Sequence, residues 1–208
     1  MEKLLIPLFP LEVVLFPGQA LPLHIFEERY KEMIGECLEQ HLEFGVVMAK
    51  ENAIVNVGCT AEIAAVTKRY DDGRMDIMST GRRRFEVLFV DEGKSYLRAA
   101  AQFFVDEESC PKEDVRARVL ELHQEILGLL FSDSEDRQRY AVEAANPQLS
   151  FLLAGPLPVE LDFKQTLLCL RSEAERLGRL AEYLVKLAAR LRLVSKVRGR
   201  AGGNGQGR

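Results

Sequence analysis

The densest cluster of chemically capable side chains is Gly81-Arg82-Arg83-Arg84-Phe85, three guanidinium groups beside an aromatic ring. Arginine forks bind phosphate and an aromatic face stacks a base, so Arg82, Arg83 and Arg84 read as a nucleic-acid contact. The competing reading is the start of a strand, with alternate arginines solvated and Phe85 buried. A second basic feature runs through Arg171, Arg176, Arg179, Lys186, Arg190, Arg192, Lys196, Arg198 and Arg200. Cations near a helix C-terminus complement its dipole without any ligand.

Other chemistry is sparse. His24, His41 and His123 are the three histidines, and no two stand at metal-ligand spacing. His24 suits a core or rim position, and His41, just past a helix, suits a C-terminal cap. Cys37, Cys59, Cys110 and Cys169 are far apart with no CxxC pair, which supports neither a zinc site nor a redox motif. Widely spaced thiols suit a reducing cytoplasm. Phosphate-cradling GxxxxGK[ST], GxGxxG and GxSxG are missing from the chain. Ser195 and Lys196 are sequence neighbours on one helix, point to different faces and form no dyad. Glu27, Glu28 and Glu32 read as a solvated helix face. No cofactor, metal or catalytic residue follows from these patterns.

The elements that position these residues fall into two patterns. Leu4–Phe9, Val13–Phe16 and Ala20–Ile25 are short apolar runs broken by Pro7, Pro10, Pro17 and Pro22. Proline donates no ladder hydrogen bond, so they read as edge strands or strand ends. Phe26–Gln40 has helical spacing in Phe26, Tyr30, Met33, Ile34, Cys37 and Leu38. Strand patterns return at Phe44–Met48, Cys59–Tyr70, Arg74–Thr80, Arg84–Val90 and Tyr96–Val105, with Asp72-Gly73 as a hairpin turn. Many short strands with polar turns predict a nearly closed antiparallel β barrel with one inserted helix.

Composition shifts at Asp106–Asp114, and helical periodicity follows from about Pro111. Ser132 with Glu135, Asp162 with Gln165, and Ser172 with Glu175 have capping-box spacing. The last helix carries a stripe of Leu177, Leu180, Ala181, Leu184, Leu187, Ala188, Leu191 and Val194. The expected fold class is thus α+β, a barrel at 1–108 followed by an α-helical bundle at 109–198, with a glycine-rich disordered tail at 199–208. The chain has 208 residues, 47% hydrophobic content and a formal net charge of -4, enough for one large or two small cores and without global attraction to anionic partners. The apolar N-terminus has too many prolines for a membrane span and lacks a signal-peptide pattern, so a cytoplasmic location is expected.

Leu5-Ile6-Pro7-Leu8-Phe9-Pro10-Leu11, Val13-Val14-Leu15-Phe16-Pro17-Gly18 and Leu21-Pro22-Leu23-His24-Ile25-Phe26-Glu27-Glu28-Arg29-Tyr30 together resemble the start of the substrate-binding domain of Lon-type ATP-dependent proteases. The likeness continues in order through Phe44-Gly45-Val46-Val47, Val57-Gly58-Cys59-Thr60-Ala61-Glu62-Ile63, Asp72-Gly73-Arg74, Gly81–Phe85 and Leu161–Leu168. It covers roughly residues 3–193. The resemblance implies a PUA-like (pseudouridine-synthase-associated) barrel, a helical bundle and recognition of unfolded polypeptide or a protein partner. It also implies a stand-alone module without the family's ATPase and Ser–Lys protease modules, and therefore no enzyme.

The expected function is a non-catalytic peptide-binding module, using an apolar groove or strand addition at a barrel edge. Phe26, Tyr30, Arg84 and Phe85 are the expected contacts. Packing of the first helix on the barrel is the alternative role for Phe26 and Tyr30. RNA binding through Arg82, Arg83 and Arg84 is the alternative function, since PUA-like barrels include RNA-recognition modules.

Overall fold

The computed structural model describes residues 5–203 apart from 52, 109, 132, 139 and 141. The elements are β1 (Leu5–Leu11), β2 (Ala20–Ile25), α1 (Glu28–Gln40), β3 (Phe44–Lys50), β4 (Ala53–Arg69), β5 (Met75–Asp91) and β6 (Arg98–Phe103), then α2 (Glu113–Leu130), α3 (Ser134–Gln138), α4 (Leu149–Ala154), α5 (Leu161–Cys169) and α6 (Glu173–Gly203). They form two compact units, Met1–Val105 with Pro158–Cys169, and Asp106–Leu157 with Leu170–Arg208. A single cut between 108 and 109 does not describe this arrangement, because α5 returns to the first unit.

The first unit holds a six-stranded sheet in the order β2-β5-β4-β3-β1-β6, and β5 also pairs with β6. The ladders thus run from β5 through β4, β3, β1 and β6 back to β5. The expected all-antiparallel pattern is corrected at one ladder: β1 and β3 are parallel, with Leu8 opposite Gly45. Parallel neighbours need a long crossover, and β2 with α1 supplies it. Of the two readings of the proline-broken runs, edge strand or strand end, the edge reading does not hold for β1, which lies between β3 and β6. Its prolines are tolerated because Leu5–Pro7 pair only with β6 and Leu8–Leu11 only with β3, leaving each proline one unladdered side. Pro22 does lie in an edge strand, as β2 pairs with β5 alone.

The expected break between Arg74–Thr80 and Arg84–Val90 is absent, and β5 is one strand of 17 residues. Gly81 permits this continuity. Its N–H bonds the Gln19 carbonyl and its carbonyl takes the Gly18 N–H, at 2.9 and 2.8 Å, and a side chain there would run into the Phe16 carbonyl. Gly18 itself turns with φ 75°. His41 ends α1 in the left-handed region at φ 54°, the cap role its position suggests.

Phe85 sits in a core cluster with Ile6, Leu8, Val47 and Ala99. Its ring fills space left by two glycines. A Cβ on Gly45 would lie 2.6 Å from Phe85 Cζ, and one on Gly58 would lie 2.8 Å from the same atom. Val47, Gly58, Phe85 and Ala99 thereby bring β3, β4, β5 and β6 onto one packed centre.

The second unit is helical. α2 buries Val119, Leu122, Ile126 and Leu127, and α6 buries Leu177, Leu180, Leu184, Leu187 and Ala188. The α6 stripe does not stay buried to its end, since Val194 is exposed. α6 continues to Gly203, so the first part of the expected disordered tail is helical, and 204–208 lie outside the described residues. Ser132 also lies outside them. At the α3 start the Asp133 carboxylate takes the Glu135 N–H at 2.9 Å. Ser172 does cap, accepting the Glu175 N–H at 3.2 Å. Gln165 has a different role, donating to the Val57 carbonyl at 2.9 Å.

Two stability outcomes follow from these cores. Gly58→Ala should lower the free energy of urea unfolding by about 1–3 kcal/mol, because its Cβ overlaps Phe85 and backbone that cannot retreat. His123 is fully buried on α2 with neither ring nitrogen hydrogen-bonded among the described residues, and burial pushes its pKa down to about 4. Between that value and the unfolded value near 6.5, only the unfolded chain takes the proton. Its contribution to stability is therefore intact above pH 6.5 and falls by up to about 3 kcal/mol towards pH 4. His123→Leu should remove that share of the acid dependence in urea titrations at pH 4 and 7.

Candidate functional site

The structure does not gather Phe26, Tyr30, Arg84 and Phe85 into one surface. Tyr30 is buried, its ring stacked on Phe9 at 4.1 Å with the Arg29 guanidinium 4.5 Å from its centroid. That is helix packing, and burial also raises its pKa. Phe85 has no exposed surface, so its role is structural. Arg84 is 4% exposed and donates from Nη1 to the Leu168 carbonyl at 3.1 Å, with its guanidinium 4.7 Å from the Phe104 ring centroid. It neutralises the C-terminal end of α5 and anchors that helix. Phe26 alone of the four is exposed, at 58%, with its ring 5.9 Å from His24.

The arginine triplet divides the same way. Arg82 pairs with Glu62 at 3.0 Å, and Arg83 pairs with Glu43 at 3.0 Å while lying 4.1 Å over the Phe103 ring. Strand alternation sends Arg84 to the opposite side from Phe85, under α5. Two arginines are therefore matched by carboxylates and the third is buried, which leaves no row of three cations for a phosphate backbone.

The titratable side chains show structural chemistry. His24 Nδ1 meets the Asp76 carboxylate, whose other oxygen takes the Tyr70 hydroxyl at 2.9 Å. Hydrogen bonds from His24 and then Tyr70 hold Asp76 below the usual carboxylate range. Burial pushes the Cys37 and Cys59 thiols up to about 12, so both are protonated at neutral pH. Among the described residues, no three His, Cys, Asp or Glu side chains are placed to hold a metal ion. No described helix is long and apolar enough to cross a membrane.

One surface breaks the ordinary rules. Leu88, Phe89 and Val90 on β5 are consecutive, apolar and 55%, 43% and 38% exposed. Three exposed apolar residues in a row are a defect unless they serve a purpose. Backbone pairing explains their exposure. The β4 ladder on β5 ends at Val57 opposite Glu86, and Val87, Phe89, Val90 and Asp91 pair with β6. A register shift between Val87 and Phe89 places a bulge there, which turns side chains out of strict alternation. On the core side, Ile54, Val87, Leu97 and Ala101 are partly buried around the Phe85 cluster. The segment thus joins a bulged strand to an apolar surface. Its borders are acidic: Glu86 at one end, and Asp91 with Glu92 at the other. Asp91 is held by Arg98 Nε and Nη2 at 3.0 and 2.7 Å, which keeps its carboxyl below the usual range.

The sequence signal for this surface was present in the run Val87-Leu88-Phe89-Val90, which lacks polar alternation. The same run describes a strand buried on both faces. Only the structure shows that the β4 ladder ends at Glu86 and that Leu88–Val90 are exposed.

Comparison with known proteins places this geometry in context. Residues 5–186 match the family described as the ATP-dependent protease La (LON) substrate-binding domain. The Lon protease of Paraburkholderia phytofirmans is 26% identical over 196 residues, 88% of this chain and 24% of the protease. Protein cereblon of Xenopus tropicalis is 32% identical over 88 residues, 40% of this chain and 20% of cereblon. The chain spans about a quarter of the length of the Lon proteases it matches. The solved Lon N-terminal domain protein from Xanthomonas campestris has a TM-score of 0.69 at 21% identity, covering 86% of this chain and 98% of that one. The N-terminal domain of the Mycobacterium avium complex Lon protease has a TM-score of 0.62 at 17% identity, covering 87% and 98%. At these identities the two structures establish the shared fold, a mixed α+β architecture.

Arg84→Met should lower stability by about 2 kcal/mol by stranding the buried Leu168 carbonyl, and should speed amide exchange in α5. Arg82→Ala and Arg83→Ala break exposed pairs and should each change stability by less than about 1 kcal/mol.

Proposed function

The chain belongs to the LON substrate-binding domain family, and on that footing we propose that it binds extended, unfolded polypeptide across the exposed apolar side chains of Leu88–Val90 on β5. The observation that carries this reading is the run of three consecutive exposed apolar side chains at a bulge in β5. Apolar contact is non-directional and tolerant of client sequence, which suits a module that meets many unfolded clients. The ring of ladders through β5, β4, β3, β1 and β6 supports a PUA-like barrel as the scaffold, in which the bulge at Val87–Phe89 is the place where one strand leaves its neighbour.

The expected contacts therefore move along β5 from Arg84 and Phe85 to Leu88, Phe89 and Val90. Phe26 stays exposed near the end of β2 and is retained as a secondary contact.

A fluorescent, reduced and carboxymethylated client should bind the chain with micromolar affinity and without nucleotide. Leu88→Ser with Val90→Ser should weaken that binding roughly tenfold while leaving the urea midpoint nearly unchanged, since both residues are exposed. Binding that survives the double substitution at full strength would place the contact elsewhere.

A further inference from the structure

The basic residues of α6 play no part in polypeptide binding at β5, and charge is unevenly divided along the chain. Of 28 Lys and Arg residues, seven follow Glu182, and no Asp or Glu does. Residues 183–208 therefore carry +7, while residues 1–182, with 21 cations against 32 acids, carry -11. Lys186 and Arg190 stand four residues apart on α6, as do Arg192 and Lys196. At about 100° per residue these are two rows turned away from the buried stripe of Leu184, Leu187 and Ala188. Ala189 and Leu193 lie between the rows, and all six residues are exposed. Dipole matching does not explain the rows. It acts within the last turn, and Lys186 lies more than four turns before Gly203. Like charges four residues apart also repel, so the rows weaken the helix unless an anion meets them. Arg190 and Arg192 each have a partner within the chain, Arg192 in an exposed pair with Glu125 on α2. Exposed pairs contribute little and yield to a denser array of charge.

We infer that this face of α6 lies in the major groove of double-stranded DNA, with one cation row on the phosphates of each strand and Leu193 towards the bases. Charge complementarity carries the argument. A DNA duplex presents one negative charge per about 1.7 Å of its axis. The -11 of a second copy is spread over 182 residues and is a poorer match. Width agrees, since the groove is about 12 Å across and a helix with its side chains about 10–12 Å. The major groove of an RNA duplex is too narrow for side chains to read. An anionic membrane takes a helix with a broad apolar face. Between the two rows, among the described residues, Leu193 is the one large apolar side chain.

The test uses the full chain and a labelled DNA duplex of about 20 base pairs, followed by fluorescence anisotropy between about 50 and 200 mM salt. With four cations on phosphates, log affinity should fall against log salt with a slope of about -4. Lys186→Gln with Lys196→Gln, whose fold is checked by circular dichroism and a urea melt, should reduce the slope by about two and weaken binding roughly tenfold at low salt. Arg82→Gln with Arg83→Gln should leave slope and affinity unchanged, since both arginines are held by carboxylates. No binding, binding indifferent to salt, or full affinity in the Lys186 and Lys196 double variant overturns the inference. So does equally tight binding of duplex RNA, polyglutamate or phosphatidylserine vesicles at the same salt. Each of these outcomes leaves polypeptide binding at Leu88–Val90 standing.

Discussion

The packing of the Phe85 ring against Gly45 and Gly58 is the constraint on which the first unit depends. β5 pairs with β4, and β4 with β3, and a benzyl group pointing inward from β5 needs room over both of those strands. Glycine provides it by having no side chain, and here its backbone freedom is not the point. The benefit is a ring in contact on every side, with Ile6 and Leu8 from β1, Val47 from β3 and Ala99 from β6 completing the cluster. Residues small at 45, 58 and 99 and large at 85 must therefore appear together. Once Phe85 is fixed inward, Arg84 is fixed outward, which brings it to the Leu168 carbonyl and seats α5. The same register leads β5 away from β4 after Glu86, and so the exposure of Leu88–Val90 follows from the core.

The second unit has a polar counterpart. Arg176 is fully buried, and its guanidinium meets Asp106 and Glu173, the Ser150 hydroxyl and the Leu170 carbonyl, over the Phe151 ring at 4.3 Å. The Asp106 and Glu173 charges together with burial set the state of this group, which stays protonated. Such a network is costly to desolvate, and it holds only when every donor is matched. Its geometric effect is specific. Asp106 and Leu170 stand where the chain enters this unit on its two passes, and the Glu107 N–H also bonds the Arg171 carbonyl at 2.8 Å. One arginine on α6 thus fastens both entering segments to α4 and α6.

What was legible in the sequence was whatever local chemistry dictates. The His41 cap, the Asp72-Gly73 turn and the α1 periodicity all rest on properties of single residues or short spacings. The family resemblance was legible for the same reason, since its motifs are short local patterns in order. Features that depend on pairing were not legible. Pro7 and Pro10 argue for an edge strand, and only the switch of partner from β6 to β3 within β1 lets them sit inside the sheet. Asp162 with Gln165 has cap spacing, yet Gln165 serves Val57 more than a hundred residues away. Burial of the expected contact residues was not legible either. Arg84 and Phe85 are conspicuous in composition and buried in fact, and Leu88–Val90 look like core and are exposed.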